Sequence, residues 1–93
     1  MSYKLSFHPD ALEEWRKLDA TVNEQFKKKL AERLQHPHVP SARLSGQQTR
    51  YKIKLRSVGY RLVYEVRDTV LLVIVVAVGK RERNAVYRVA AKR

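Results

Sequence analysis

The stretch from Tyr51 to Tyr64 constrains this chain more than any other. Tyr51, Ile53 and Leu55 are apolar, and Lys52, Lys54 and Arg56 alternate with them. Side chains in a strand point to opposite faces with period two, so one face is built for a core and the other is cationic. Ser57-Val58-Gly59 interrupts the run as a turn does; Tyr60, Leu62 and Tyr64 then resume the apolar face, with Arg61 on the other side. The pattern predicts a β-hairpin with a greasy side and a charged side. Residues directly opposed in such a hairpin share a face, which fixes the register. Pairing Leu55 with Tyr60 leaves Arg56 to Gly59 as the loop and sets Lys54 opposite Arg61 and Arg50 opposite Glu65. Like charges directly opposed are destabilising, and nothing local offsets Lys54 against Arg61. An anion from outside the chain would.

The rest of the sequence supplies what covers the greasy side. Tyr3 to Phe7 alternates as a first strand. His8-Pro9-Asp10 opens a helix, because proline is tolerated in the first turn and Asp10 suits the positive end of the helix dipole. Ala11, Leu12, Trp15 and Leu18 follow at helical spacing, with Trp15 expected in the core. A second helix starts near Asp19 to Thr21, capped either by Asp19 or by a Thr21/Glu24 capping box. Val22, Phe26, Leu30 and Leu34 form its buried stripe, and Lys27 to Lys29 read as a solvated face. Two prolines in Gln35-His36-Pro37-His38-Val39-Pro40 stop it, and Ser41 to Thr49 is a polar loop. After the hairpin, Arg67-Asp68-Thr69 turns into Val70 to Val78, a nearly continuous apolar run expected as a central strand. A basic turn, Gly79 to Arg83, leads to a short last helix with Val86, Val89 and Ala90 inward and Tyr87 on another face. The order β-α-α-β-β-β-α predicts an α+β fold over residues 1–93: a single compact domain with two helices packed on one face of a mostly antiparallel four-stranded sheet and a short C-terminal helix. The cationic face of the hairpin is expected to stay open, bordered by the basic turn and the last helix.

Charge locates the working side. The formal net charge is +11; residues 1–49 hold 8 Lys/Arg and 6 Asp/Glu, whereas residues 50–93 hold 12 and 3. A basic half of this kind points to a polyanionic partner, nucleic acid first and an acidic protein second. The absence of cysteine excludes disulfides and thiolate chemistry and fits a reducing cytoplasm. No apolar signal core opens the chain, and the Val70–Val78 run is too short to span a bilayer, so no membrane association is expected.

The usual catalytic sets are missing: no Gly-rich phosphate loop and no triad pattern. His36 and His38 are the only clustered histidines, without carboxylates at metal spacing, and read as an exposed helix end. No metal or cofactor is expected. What remains is Lys52, Lys54, Arg61 and Arg81, with Tyr87 nearby. Clustered cations disfavour one another's protonation, which moves a lysine towards the range of a general base. Guanidinium groups hold a phosphate and stabilise charge building on it, and an aromatic ring stacks on a base. The set suits RNA cleavage in which the 2′-OH attacks the adjacent phosphate; a basic surface that only binds is the other reading, and spacing alone does not separate the two.

Several segments carry a resemblance to a known family. These are Trp15-Arg16-Lys17-Leu18, Lys27-Lys28-Lys29-Leu30, Tyr51 to Arg56, Gly59 to Tyr64, Val78-Gly79-Lys80-Arg81-Glu82-Arg83 and Val86-Tyr87. Through them the chain resembles the RelE toxins of bacterial toxin–antitoxin systems, nearly end to end. The resemblance implies a ribosome-dependent, metal-independent endoribonuclease that cuts mRNA codons in the ribosomal A site and so inhibits translation. It implies three kinds of partner: a RelB-like antitoxin, the ribosome (16S rRNA) with its mRNA, and operator DNA bound only as the toxin–antitoxin complex. Carried over by position, Lys52 is the general base, Lys54 and Arg61 stabilise the phosphate, Arg81 serves the leaving group and Tyr87 orients the substrate base. Arg43, Arg50, Arg56, Lys80, Arg83 and Arg88 are the expected RNA-binding cations around them. Leu44-Ser45-Gly46 departs from the Leu-Arg-Gly of close relatives, so a loop cation is absent, with Arg43 as its substitute. A ParE-like gyrase poison and a non-catalytic basic RNA- or DNA-binding module are the alternatives; the retained cations and Tyr87 argue against the first.

Overall fold

The computed structural model describes residues 2–46, 48–82 and 84–93. Its elements run β1 (Lys4–Phe7), α1 (Pro9–Arg16), α2 (Ala20–Gln35), β2 (Arg50–Leu55), β3 (Tyr60–Arg67), β4 (Leu72–Lys80) and α3 (Ala85–Ala91), with short 3-10 turns at Pro40–Ala42 and Asp68–Val70. This is the expected α+β order. The strands form one sheet in the order β1-β4-β3-β2. Strand β1 runs parallel to β4, and the other two pairings are antiparallel.

Local chemistry sets the helix ends. His8 caps α1, its Nδ1 accepting from the Asp10 N–H at 3.1 Å, and Pro9 takes the first helical position. Of the two caps foreseen for α2, the structure uses Asp19, whose Oδ1 accepts from the Val22 N–H at 2.9 Å. The hairpin forms in the expected register: Leu55 opposes Tyr60, Lys54 opposes Arg61 and Arg50 opposes Glu65. Its loop closes with the Gly59 N–H donating to the Leu55 carbonyl at 2.9 Å. Gly59 has φ +69°, a left-handed conformation in which any Cβ would be strained.

The sheet has a core on each face. Helices α1 and α2 cover one side, where Ala11, Val22, Phe26 and Leu30 pack on Tyr51, Ile53, Leu55, Leu62, Tyr64, Val66, Val73, Val75 and Val78. On the other side α3 brings Val86 and Ala90 onto Val63, Val76 and Ala77. The cationic face is therefore not left wholly open: α3 roofs its β3–β4 half and leaves the β2 half clear. A β-bulge in β4 makes this possible. Val63 opposes Ala77 and Tyr64 opposes Val75, so Val76 is an extra residue. Below the bulge the odd residues Val73 and Val75 enter the α1/α2 core; above it the even residue Val78 does. Val76 and Ala77 are left to α3. The apolar run of β4 shows no alternation because both its faces are buried and its parity changes midway.

Three expectations shift. Strand β4 begins at Leu72, not Val70; Val70 is exposed and Leu71 adopts a left-handed turn with φ 51°. Trp15 is half-buried at the edge of the core, against Phe7 and Phe26, and not enclosed. Val89 is exposed, whereas Val86 and Ala90 are the buried residues of α3. The His36–His38 segment also does more than end a helix. His38 Nε2 meets Asp68 Oδ1 at 2.7 Å and Nδ1 meets Tyr51 Oη at 3.0 Å, while Tyr3 donates its hydroxyl to the same Asp68 oxygen at 2.6 Å. These contacts tie the α2–β2 connection to the β3–β4 turn.

Candidate active site

The site lies on the α3 face of the hairpin. Lys52 and Lys54 project there from β2 because Tyr51, Ile53 and Leu55 take the opposite face into the core. Arg61 projects from β3 directly opposite Lys54 and, on its other side, opposite Gly79. Strand β4 ends beside the hairpin loop, where the Arg81 N–H donates to the Gly59 carbonyl at 2.6 Å. Lys54, Arg56, Arg61 and Arg81 consequently line one depression with Leu55, Gly59 and Tyr60. Gly79 lets the roof come close: a Cβ there would stand 3.2 Å from Val86 Cγ2.

Tyr87 reaches this group from α3. Arg61 Nη1 donates to Tyr87 Oη at 3.0 Å, and the guanidinium carbon lies 5.8 Å from the ring centroid. Arg61 Nε is buried and meets no partner among the described residues. A buried donor without an acceptor is costly, and a phosphate oxygen would satisfy it. On its other side Tyr87 shares a cavity of about 390 Å³ with Leu44, Ser45, Lys52, Asn84 and Ala91.

The Lys52 ammonium, followed by the Arg61 guanidinium, loss of solvent, Arg56 and Arg81, holds the Lys54 amine below the usual lysine range. Lys54 is the lysine at the centre of the cations. Among the described residues, no group of three or more His, Asp or Glu is placed to hold a metal ion.

The structure thus brings Lys52, Lys54, Arg56, Arg61, Arg81 and Tyr87 together. Other expected RNA-binding cations stand apart. The Arg50 side chain is mostly buried, with Nε on Glu65 at 3.2 Å and Nη1 donating to the Ala90 carbonyl at 2.6 Å, so it ties β2 to β3 and to the end of α3. Burial pushes the Glu65 carboxyl up, but the hydrogen bonds from Arg67 and Arg50 outweigh it and leave that carboxyl below the usual range. Lys80 lies in a groove on the far side of α3 with Glu14 and Val89. Arg88 is exposed on α3, and Arg83 lies outside the described residues. Arg43 is exposed in the loop and lines a depression with Ser45 and Gly46, but only Ser45 of these also lines the cavity with Lys52 and Tyr87. The position at which the resemblance implied a cation, Ser45, therefore lies in the wall of that cavity.

Two charged residues that serve the site escaped the sequence reading. Arg33, on the last turn of α2, donates from Nη1 to the Lys52 carbonyl at 3.2 Å and to Tyr64 Oη at 2.8 Å. Glu14 accepts the Val78 N–H at 3.1 Å and pairs with both terminal nitrogens of Arg93, at 2.9 and 3.0 Å. Arg93 also donates to the Val76 carbonyl at 2.8 Å, which clasps the end of α3 to β4 and α1. A faint signal existed: Arg33 lies seven residues after Phe26 and Glu14 three after Ala11, both at the helical spacing of the buried stripe.

Known proteins match this chain along its length. The family model for the ParE toxin of the type II toxin-antitoxin system parDE matches residues 5–85. The mRNA interferase toxin RelE of Escherichia coli (strain K12) is 56% identical over 93 residues, which cover 100% of this chain and 98% of that protein. A structure of a mutant form of the E. coli toxin RelE in the free state superposes with a TM-score of 0.92 at 54% identity, covering 100% of this chain and 98% of that one. The toxin in the crystal structure of the intact E. coli RelBE toxin-antitoxin complex does so with a TM-score of 0.84 at 55% identity, over 88% of this chain and 100% of that one. With a family match across most of its length and this identity to RelE on the same fold, the chain belongs to the type II toxins that the ParE model describes and, within them, to the RelE family.

Proposed function

We propose that this chain is the toxin of a type II toxin–antitoxin pair and acts as an endoribonuclease on mRNA in the cytoplasm, at the A site of translating ribosomes. The observation that carries the reading is the cation cluster centred on Lys54, with Arg61 opposed to it and held by Tyr87. Cleavage by the 2′-OH needs three things: a base for its proton, charge for the phosphate and help for the leaving oxygen. The neighbouring cations that lower the Lys54 pKa raise its fraction of neutral amine, and with its place opposite Arg61 this is the ground on which the scheme uses Lys54 as the base. This reverses the roles that the resemblance implied for Lys52 and Lys54. Lys52 and Arg61 then stabilise charge on the phosphoryl oxygens. Lys54 takes the proton of the 2′-OH, the 2′-oxygen bonds to phosphorus, and the bond to the 5′-oxygen breaks; Arg81 donates a hydrogen bond to that departing oxygen, which takes up a proton from solvent water. The products are a 2′,3′-cyclic phosphate and a 5′-hydroxyl. No step in this scheme requires a metal ion.

The chain supplies charge but little to hold an RNA in line. The ribosome supplies that geometry, whose value in catalysis is large. A RelB-like antitoxin neutralises the toxin by bringing carboxylates to the basic face, with fast and salt-sensitive association, and operator DNA is bound only by the pair. The ParE-type match keeps a gyrase-directed toxin as the second reading, which leaves the Lys54–Arg61–Arg81 cluster without a task. The deciding experiment is single-turnover cleavage by purified protein, on naked mRNA and on programmed ribosomes. Cleavage within the A-site codon that needs the ribosome and disappears in Lys54→Ala is the expected result. Efficient cutting of naked RNA, or none on ribosomes, would overturn the proposal.

A further inference from the structure

A second concavity adjoins the active site at the outer edge of β2. Arg33, Ser41, Lys52, Lys54 and Arg56 line it, with Ala42 at its base, around a volume of about 280 Å³. No carboxylate lines it. The ion pairs among the described residues join carboxylates to Lys27, His38, Arg50, Arg67 and Arg93, and to none of these four cations. Arg33, Lys52 and Arg56, with the Lys54 amine, thus face one hollow with nothing of opposite sign. Arg33 is held in place there by its bonds to the Lys52 carbonyl and Tyr64 Oη. A guanidinium fixed in advance loses little freedom on meeting an oxyanion, and its planar fork matches phosphate geometry.

We propose that this hollow is a second phosphodiester subsite, which takes a backbone phosphate next to the one being cleaved. The inference rests on the reading that the scissile phosphate sits over the narrow depression, of about 10 Å³, between Lys54, Arg61 and Arg81. Lys54 and Arg56 line both hollows. Two anion sites joined through two shared side chains, Lys54 and Arg56, fit a strand with charges at regular spacing better than they fit one isolated anion. An acidic protein segment would meet the same charges, but the lining has no apolar side chain beyond Ala42. The buried aromatic and aliphatic anchors on which protein interfaces depend have nowhere to dock.

The test measures binding to ribosomes whose mRNA has a 2′-deoxy nucleotide at the cleavage position, so that the readout does not require cleavage. The mRNA is all-phosphodiester or has one neutral methylphosphonate on either side of the scissile linkage. Arg33→Gln and Arg56→Gln should each weaken binding several-fold and lower the slope of log K against log salt by about 0.7 to 1, as one lost phosphate contact does. One methylphosphonate should weaken the wild type by a similar factor and have no further effect on the variants. Arg33→Lys should recover part of the loss. Arg33→Gln also removes a partner of Tyr64, so Arg56→Gln, an exposed side chain, decides the matter if the first variant loses thermal stability. Weakened binding that is indifferent to every methylphosphonate would overturn the proposal, because the anion met by the hollow would then not be the neighbouring mRNA phosphate. Wild-type binding and salt slope in Arg56→Gln and in folded Arg33→Gln would overturn the proposal. So would variants that keep RNA affinity and lose affinity only for an acidic antitoxin. Failure of the underlying reading shows separately, as wild-type protein that does not cut all-ribose mRNA on ribosomes.

Discussion

Arg61 and Tyr87 hold each other in place across two elements of the fold: the guanidinium on β3 donates to the phenol on α3 at 3.0 Å. Neither is positioned by its own element alone, so their substitutions should not add. Arg61→Ala removes transition-state charge stabilisation and should slow single-turnover cleavage by ~10²–10³. Tyr87→Phe should cost less, because the ring stays, and Tyr87→Ala more. The Arg61→Ala/Tyr87→Phe double variant should fall well short of the product of the single effects, with a coupling of about 0.5–3 kcal/mol. Strict additivity would mean that the hydrogen bond has no part in the reaction.

Lys54 gives the pH profile a defined sign. On the proposed mechanism the neutral amine is the base, so the cleavage rate should rise with pH until Lys54 is deprotonated. Lys52 is the largest cause of its lowered pKa. Lys52→Met should let that pKa climb back towards the usual lysine range and displace the rising limb to higher pH. Part of the activity lost near neutrality should then return in alkaline buffer; in Lys54→Ala it should not. If Lys52→Met leaves the limb where it is, the base lies elsewhere.

The Glu14–Arg93 clasp should govern how firmly α3 sits. Its side chains retain 30% and 14% of their exposure, so solvent screens the pair in part. Glu14→Gln weakens three contacts at once: two from Arg93 and one from the Val78 N–H. A loss of roughly 1–3 kcal/mol is expected, in the range for hydrogen bonds to charged groups. Hydrogen exchange should report it first in α3 amides, while the amides of β2 and β3 keep their protection. Uniform acceleration throughout the chain would show that α3 is not a separately loosened element.

Core substitutions should rank by enclosure. Phe26 is fully buried, whereas Trp15 is half-buried and packs against Phe26 from the rim. Phe26→Ala should cost about 3–5 kcal/mol and Trp15→Ala distinctly less, despite the larger ring. Chemical denaturation of both variants gives the comparison. An equal or larger loss for Trp15→Ala would place the centre of the core nearer α1 than the structure does.

Short-range pattern determined much of this protein. Period-two alternation from Tyr51 to Tyr64 specified the hairpin, its register and the opposed Lys54 and Arg61, because a strand slip of one residue would turn every apolar side chain to the wrong face. Helical spacing and terminal chemistry located α1 and α2, and the charge asymmetry marked the working half. The tertiary structure decided what depends on residues far apart in the chain. The bulge at Val76 split the β4 run between two cores, and α3 settled on half of the cationic face. Arg50 went to Glu65 and the Ala90 carbonyl, while Arg33 came to the edge of the site from α2. The ordering of Lys52 and Lys54 belongs to this second group. Both sit on the same face of one strand; Lys52 and Arg56 on that strand lower the Lys54 pKa, and Arg61, opposed to it on β3, and Arg81 add to them from elsewhere in the fold. Local periodicity tells which way a side chain points; the charges it meets depend on which strands become its neighbours.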